Sequence, residues 1–395
     1  MIGHAPNLAG ARRNFVTAAQ TWRTRSLAST SLMVSLAEVV EPSGGHEDLV
    51  TDVVFLECPE HRSLSRPLVV ITSGVHGVEG YAGSLLQCLA LGDDAFVQAV
   101  LAHADLLFVH AVNPWGMHHR QRTDSQNIDL NRNAHNAPSL YLQKNKHLHL
   151  LRPLLAPQQP ADNDSLVARS KFFATIIRIF AQLGVGDAVR SVMHGQYEFP
   201  KDLFYGGNKL SSHLGNVAQT IRGLLRQDRR CCIIDLHTGL GPKGKLTLML
   251  SEQHNPTETD MLQRLANQFR CHTEDRDALV RPGIFCEWLR DGLQGSREQQ
   301  QNTETWRALV FEMGTLGASP WSNLTALRRL VRNNQLRHFG CVDQSTTLAD
   351  EIRRQFIDLF EPSDPKWWSV VSTDRFRDLK ALVLLLARCQ GGSPS

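Results

Sequence analysis

The stretch Pro67-Leu68-Val69-Val70-Ile71-Thr72-Ser73-Gly74-Val75-His76-Gly77-Val78-Glu79-Gly80 decides how this chain folds. Its first half is a continuous, β-branched-rich apolar run ending near a glycine, the pattern of a strand covered on both faces in a parallel sheet. Residues 81–91 then read as a helix. A buried strand that passes through a short turn into a helix is the unit of an open α/β sheet, and such sheets place their ligands beyond the carboxyl ends of the strands. The turn of this unit carries His76 and Glu79.

Outward from there the pattern recurs. Upstream, residues 36–40 and 49–56 read as two strands of a hairpin joined at Pro42-Ser43-Gly44-Gly45, preceded by an amphipathic helix over residues 11–22. Downstream, residues 104–109 form a second buried strand; after a long polar stretch come strands at 231–236, 247–250 and 309–311, with a helix at 260–269. Strands alternating with helices predict a doubly wound mixed α/β sheet with helices on both faces. The expected organisation is one domain over residues 1–395, with an N-terminal helix and hairpin at about 10–58. Loop insertions are expected near 144–164, rich in His, Pro, Gln and Asn, and near 291–305, around Glu298-Gln299-Gln300-Gln301, with a flexible tail at 391–395.

Composition narrows the function classes. With 42% hydrophobic and 21% charged residues in 395, the chain can bury a full core and is not disordered in bulk. The 42 Lys and Arg against 39 Asp and Glu leave +3, too balanced for a nucleic-acid partner held by charge. No apolar run approaches the about 20 residues of a bilayer-spanning helix, so no membrane partner is expected. The eight cysteines form no CxxC pair, and Cys231-Cys232 read as small buried hydrophobes, which fits a reducing cytoplasm. Arg12, Arg13, Arg23 and Arg25 precede the first acidic residue, Glu38, a composition shared with organelle transit peptides. An amphipathic first helix is the simpler reading, and the pattern of a secretory signal is missing.

The chemistry-bearing residues lie at the expected strand ends. His76 and Glu79, three apart in a turn, can present an imidazole and a carboxylate to one ion, a weak signal alone. The candidate for a third ligand is His237, in Ile234-Asp235-Leu236-His237-Thr238-Gly239 at the end of another buried strand. A histidine there is more often a structural hydrogen-bonding group, but two such sites at one sheet edge shift the balance. Glu312 leaves the apolar strand Leu309-Val310-Phe311 for a glycine turn, which reads either as a desolvated carboxyl tuned toward a general base or as a surface Glu at a strand end. Residues 122–133 carry Arg122, Asn131 and Arg132, suited to gripping a carboxylate, or else form a polar loop held by Asx turns. No GxSxG elbow occurs, which disfavours a serine hydrolase.

Four motifs in order, Gly74 to Gly80, Val112-Asn113-Pro114-Trp115-Gly116 with Asp129-Leu130-Asn131-Arg132-Asn133, Asp235 to Gly239, and Phe311-Glu312-Met313-Gly314-Thr315, resemble those of the zinc carboxypeptidases. Within that family they resemble a poorly characterised, mostly bacterial branch known only as a domain of unknown function. The resemblance spans roughly residues 10–340. It implies a zinc carboxypeptidase-like fold, one Zn²⁺ held by His76, Glu79 and His237, and Glu312 as the base that also protonates the leaving amine. It further implies that Asp129 orients His76 and that Asn131 and Arg132 bind a terminal carboxylate. Arg122 would polarise the scissile carbonyl, with Arg120 as its rival because the spacing between motifs is shortened. Tyr197 and Tyr205, in the aromatic glycine-bounded run 195–207, are the candidates for the tyrosine that closes over substrate. Asn-Pro-Trp-Gly replaces the more usual Asn-Pro-Asp-Gly without removing a catalytic group.

The implied function is a zinc-dependent hydrolase of an amide bond beside a free carboxylate, foremost a metallocarboxypeptidase acting on peptides. Asp-Leu-His-Thr is also similar to the succinylglutamate desuccinylase and aspartoacylase branch, which makes an N-acyl amino acid the alternative substrate. A non-catalytic binding module on the same fold is the third reading. Mn²⁺ or Co²⁺ can occupy the same ligand set.

Overall fold

The computed structural model describes residues 4–28, 31–42, 49–59, 66–226, 229–250, 269, 271–273, 283–294, 308–317, 319–342 and 346–389. Eight strands, β1 (Met33–Val40), β2 (Val50–Glu57), β3 (Leu68–Ser73), β4 (Asp105–His110), β5 (Cys231–Pro242), β6 (Leu246–Leu250), β7 (Cys271–Thr273) and β8 (Ala308–Leu316), make one mixed sheet. Their spatial order is β1-β2-β4-β3-β5-β8-β6-β7. β4, β3, β5 and β8 run parallel to one another at the centre, and antiparallel pairs flank them on both sides.

The apolar runs work because each strand is covered on both sides. In β3, Val69 and Ile71 pack with Phe15, Leu86, Phe96 and Leu382 of the Leu8–Leu27, Gly80–Gly92, Asp94–Leu101 and Phe376–Cys389 helices. Leu68 and Val70 pack on the other side, with Leu214 and Ile221 of the Ser212–Leu225 helix and Leu289 of the Phe285–Gln294 helix. The period of two that alternates side chains across a strand assigns Cys231 to the second face and Cys232 to the first. Both cysteines are fully buried, and burial pushes the Cys231 thiol up, as expected of small hydrophobes.

Some sequence expectations are corrected. The insertion at 144–164 is not a set of surface loops: it contains the Leu148–Leu155 helix, with Leu148, Leu151, Leu154 and Leu155 buried. That helix joins the Leu166–Leu183 and Val185–His194 helices in a separate apolar cluster, which also takes in Val331 of the Pro320–Phe339 helix. Pro153 and the flanking polar residues hid its leucine stripe. Asp291 to Gln294 likewise belong to the Phe285–Gln294 helix. Residues 43–45 of the expected hairpin turn, 260–268 of the expected helix, 295–305 and the tail 391–395 lie outside the described residues. The hairpin pairing itself is present, from Met33↔Glu57 to Val40↔Val50.

The strand ends also differ in a way that builds the site. β3 stops at Ser73, where Gly74 takes a left-handed φ of 74° and turns the chain away. β5 does not stop at Leu236, nor β8 at Phe311: their ladder continues through His237↔Glu312 and Thr238↔Met313. β6 completes this ledge, with Thr247 opposite Glu312. His237 and Glu312 therefore stand on paired strands beyond the end of β3, rather than in loops. Among the described residues, no single helix is long and apolar enough to cross a membrane.

Candidate metal centre

After Gly74 the chain makes a tight turn, Gly77–Glu79, that leads into the Gly80–Gly92 helix. Gly77 is required there: a Cβ at this position would lie 2.0 Å from the carbonyl carbon of Gly116. Gly116 is held in turn by Asn113, whose Oδ1 accepts from the Gly116 N–H at 2.8 Å at the start of the Pro114–His118 helix. The Asn-Pro-Trp-Gly motif thus buttresses the turn that aims His76 and Glu79.

His76, Glu79 and His237 are all buried, and one ligand atom from each lies within 4.8 Å of the others. His76 Nδ1 is 2.8 Å from Glu79 Oε1, and His237 Nδ1 is 2.9 Å from Glu79 Oε2. The opposite ring nitrogens face carboxylates: His76 Nε2 is 3.2 Å from Asp129 Oδ1, and His237 Nε2 is 2.7 Å from Asp235 Oδ2. Both rings thus turn Nδ1 toward one point and are backed at Nε2, the arrangement that fixes the tautomer of a metal-binding imidazole. Two imidazole nitrogens and one carboxylate could hold a metal ion and leave a further coordination position open.

The electrostatics of this cluster are set by mutual pairing. Burial pushes the Glu79 carboxyl up, but His76 and His237 outweigh it and hold the group below the usual carboxylate range. Burial pushes His237 down, and Asp235 with Glu79 reverses this and holds it well above the usual imidazole range. Asp129, also opposed by burial, is held well below the carboxylate range by Arg122, His76 and Arg132.

Glu312 borders the same cavity, with its Oε1 accepting from the Leu240 N–H at 2.8 Å. Arg122, Asn131 and Arg132 line it too. Arg122 Nη1 is 3.2 Å from Glu79 Oε1, and its Nε is 3.4 Å from Asp129 Oδ2. Arg120 is engaged elsewhere: it pairs with Glu361, donates to the Pro6 carbonyl at 2.8 Å and covers the Tyr81 ring at 4.3 Å. Tyr197 and Tyr205 are packed behind the Asp129 to Asn133 segment. The Tyr197 hydroxyl donates to the Arg132 carbonyl at 2.8 Å, and the Tyr205 carbonyl accepts from the Asp129 N–H at 2.7 Å. The cavity wall in that region is Phe204.

Asp235 was missed in the sequence, although the strand period contained the signal: two residues before His237, it shares its face. Thr238, whose N–H donates to Glu79 Oε2 at 3.0 Å, was also missed. A series of Ser84, His110 and Asp52, with contacts of 2.9 Å and 3.8 Å, is structural: all three are buried, and Phe15 stacks on His110 at 4.5 Å.

The loop bearing Arg122 is tied by Asp124, whose Oδ1 accepts from the N–H groups of Gln126 at 2.9 Å and Ile128 at 2.8 Å. Burial nonetheless pushes its carboxyl up to about 7, against those two donors and Arg337. An acid whose folded pKa exceeds its unfolded value favours the fold fully below the unfolded pKa, near 3.8, and loses that contribution as pH rises through about 7. Asp124→Asn keeps an acceptor oxygen and has no charge to desolvate. It is expected to melt several degrees above the parent at about pH 8, with the gap closing toward about pH 4. An equal gap at both pH values in thermal melts would contradict this.

Fold and site together define the class: an open α/β protein with a candidate His-Glu-His metal centre at the carboxyl edge of its central strands. The chain belongs to DUF2817, a family of proteins of unknown function, which matches over residues 4–374. No curated protein is significantly similar to it. Similar solved structures include a metallo-carboxypeptidase from Pseudomonas aeruginosa, 16% identical over 84% of this chain and 68% of that one, with a TM-score of 0.39. A metallo-carboxypeptidase from Burkholderia cenocepacia is 14% identical over 92% and 69%, with a TM-score of 0.40. Bovine thrombin-activatable fibrinolysis inhibitor is 12% identical over 88% and 97%, with a TM-score of 0.42.

Proposed function

We propose that this protein is a zinc-dependent hydrolase that cleaves an amide bond beside a free carboxylate, as a metallocarboxypeptidase does. The observation that carries the reading is the bridge of Glu79 between the Nδ1 atoms of His76 and His237, with Glu312 directly across the strand pair in the same cavity. His76, Glu79 and His237 would hold one ion, which when bound supplies Lewis acidity and a water acidified toward neutral pH.

The remaining work falls to the chain's own side chains. Glu312 accepts the proton of the attacking water and passes it to the leaving nitrogen as the C–O bond forms and the C–N bond breaks. Arg122 supplies positive charge for the developing oxyanion. Asn131 and Arg132 hold the substrate carboxylate and so orient the amide. An N-acyl amino acid presents the same bond as the last residue of a peptide, and both substrates satisfy this chemistry.

Elemental analysis, followed by hydrolysis of peptides and N-acyl amino acids with and without chelator, tests the reading; turnover indifferent to chelation and zinc would refute it. Within that assay, Arg132→Ala should raise KM for substrates with a free carboxylate by roughly 10- to 150-fold. This corresponds to a charge-assisted hydrogen bond of about 1.5–3 kcal/mol. Amidated substrates should change little, and equal effects on both would remove Arg132 from carboxylate recognition.

A further inference from the structure

The cavity, of about 460 Å³, does not end at its polar residues. It continues among the Leu148–Leu155, Leu166–Leu183, Val185–His194 and Pro320–Phe339 helices, where Leu154, Ile176, Ile179, Val192, Leu327 and Leu330 form its wall. None of these six side chains can make a hydrogen bond, and the hydrolytic step uses none of them. At its edge Val189 lines the cavity yet is 45% exposed. An apolar arm that runs from the polar residues to a half-exposed valine has the form of a binding site for an apolar group rather than of a packing remainder.

We propose that the scissile amide joins an amino acid, held by its carboxylate at Asn131 and Arg132, to a long aliphatic acyl chain that lies in this arm. The substrate is then an N-acyl amino acid of fatty-acyl length, an inference that rests on the hydrolase reading above. Two arguments select the chain. A peptide entering the arm would bring an N–H and a C=O with every residue, and of the arm's lining side chains only Asn323 of the Pro320–Phe339 helix is a polar partner, so most of these groups would go unpaired at a cost an alkyl chain avoids. An acetyl group would leave the arm uncovered, and a succinyl group would desolvate its second carboxylate there. The reaction balances without a co-reactant: the oxygen of water bonds to the acyl carbon, the C–N bond breaks, the nitrogen takes the proton, and a fatty acid and an amino acid leave.

The test compares N-acetyl, N-octanoyl, N-dodecanoyl and N-hexadecanoyl amino acids with peptides of matched carboxyl-terminal residues, and separately measures dodecanoate binding by calorimetry. kcat/KM should rise by up to about fourfold per methylene until the arm is filled. Val189→Trp, at a half-exposed position on the rim, should cut the dodecanoyl-to-acetyl ratio at least tenfold and weaken dodecanoate binding. Turnover that is flat or falling with acyl length, or that favours the peptides, would overturn the assignment of the arm and leave the hydrolase reading intact. If nothing in the panel is hydrolysed, the hydrolase reading fails, and the arm is judged by dodecanoate alone: saturable binding weakened by Val189→Trp supports it, and no binding overturns it.

Discussion

Glu312→Gln is expected to retain zinc at the parent stoichiometry and to lose about 10²–10⁴-fold in kcat. The substitution is close to isosteric, and the amide oxygen can still accept from the Leu240 N–H, which Glu312 Oε1 now meets at 2.8 Å. Glu312 is not one of the three clustered ligand residues, so metal affinity should be preserved. What disappears is the group that in the proposed reaction takes a proton from water and returns it to the leaving nitrogen. Metal content and steady-state rates measured on one preparation separate the two effects. Turnover within a few fold of the parent would exclude Glu312 as the base.

His237→Ala should have the larger effect on binding, abolishing stoichiometric zinc and turnover together. Removing the imidazole deletes a candidate ligand and also leaves Asp235 and Glu79, both buried, without the cation-forming group between them. A buried charge that loses its partner costs about 3–5 kcal/mol, so thermal melts must accompany the metal assay. Asp235→Asn separates the contributions: all three ligands remain and only the hydrogen bond backing His237 changes. A weakening of metal affinity of about 10–100-fold is expected there. Full zinc occupancy in a folded His237→Ala protein would show that the ion, if bound, has other ligands.

The sheet was legible in the sequence because its central strands are buried on both faces, which leaves unbroken apolar runs such as Leu68 to Ile71 and Cys231 to Ile234. The His76, Glu79 and His237 cluster was legible because each residue interrupts the chain where an apolar run gives way to glycine. The helices over the cavity were not, since Pro153 interrupts the leucine stripe of the first of them. The extent of β5 and β8 was hidden for another reason: two strands that overrun their neighbour need only each other, and pairing is not written in either segment. Tyr197 and Tyr205 show the same limit, because an aromatic loop beside a site does not reveal whether its rings face inward or prop up the segment behind.

The pairing of His237 with Glu312 also sets how the molecule fails. Ala308 packs with the Phe285–Gln294 helix, whereas Leu309 and Phe311 face the opposite layer, so loss of one codon just ahead of Glu312 would swing the carboxylate to the far side of the sheet. Such a lesion would remove the carboxylate from the cavity and press it unpaired into an apolar layer, so the same strand that presents the proposed base also ties its placement to the stability of the sheet.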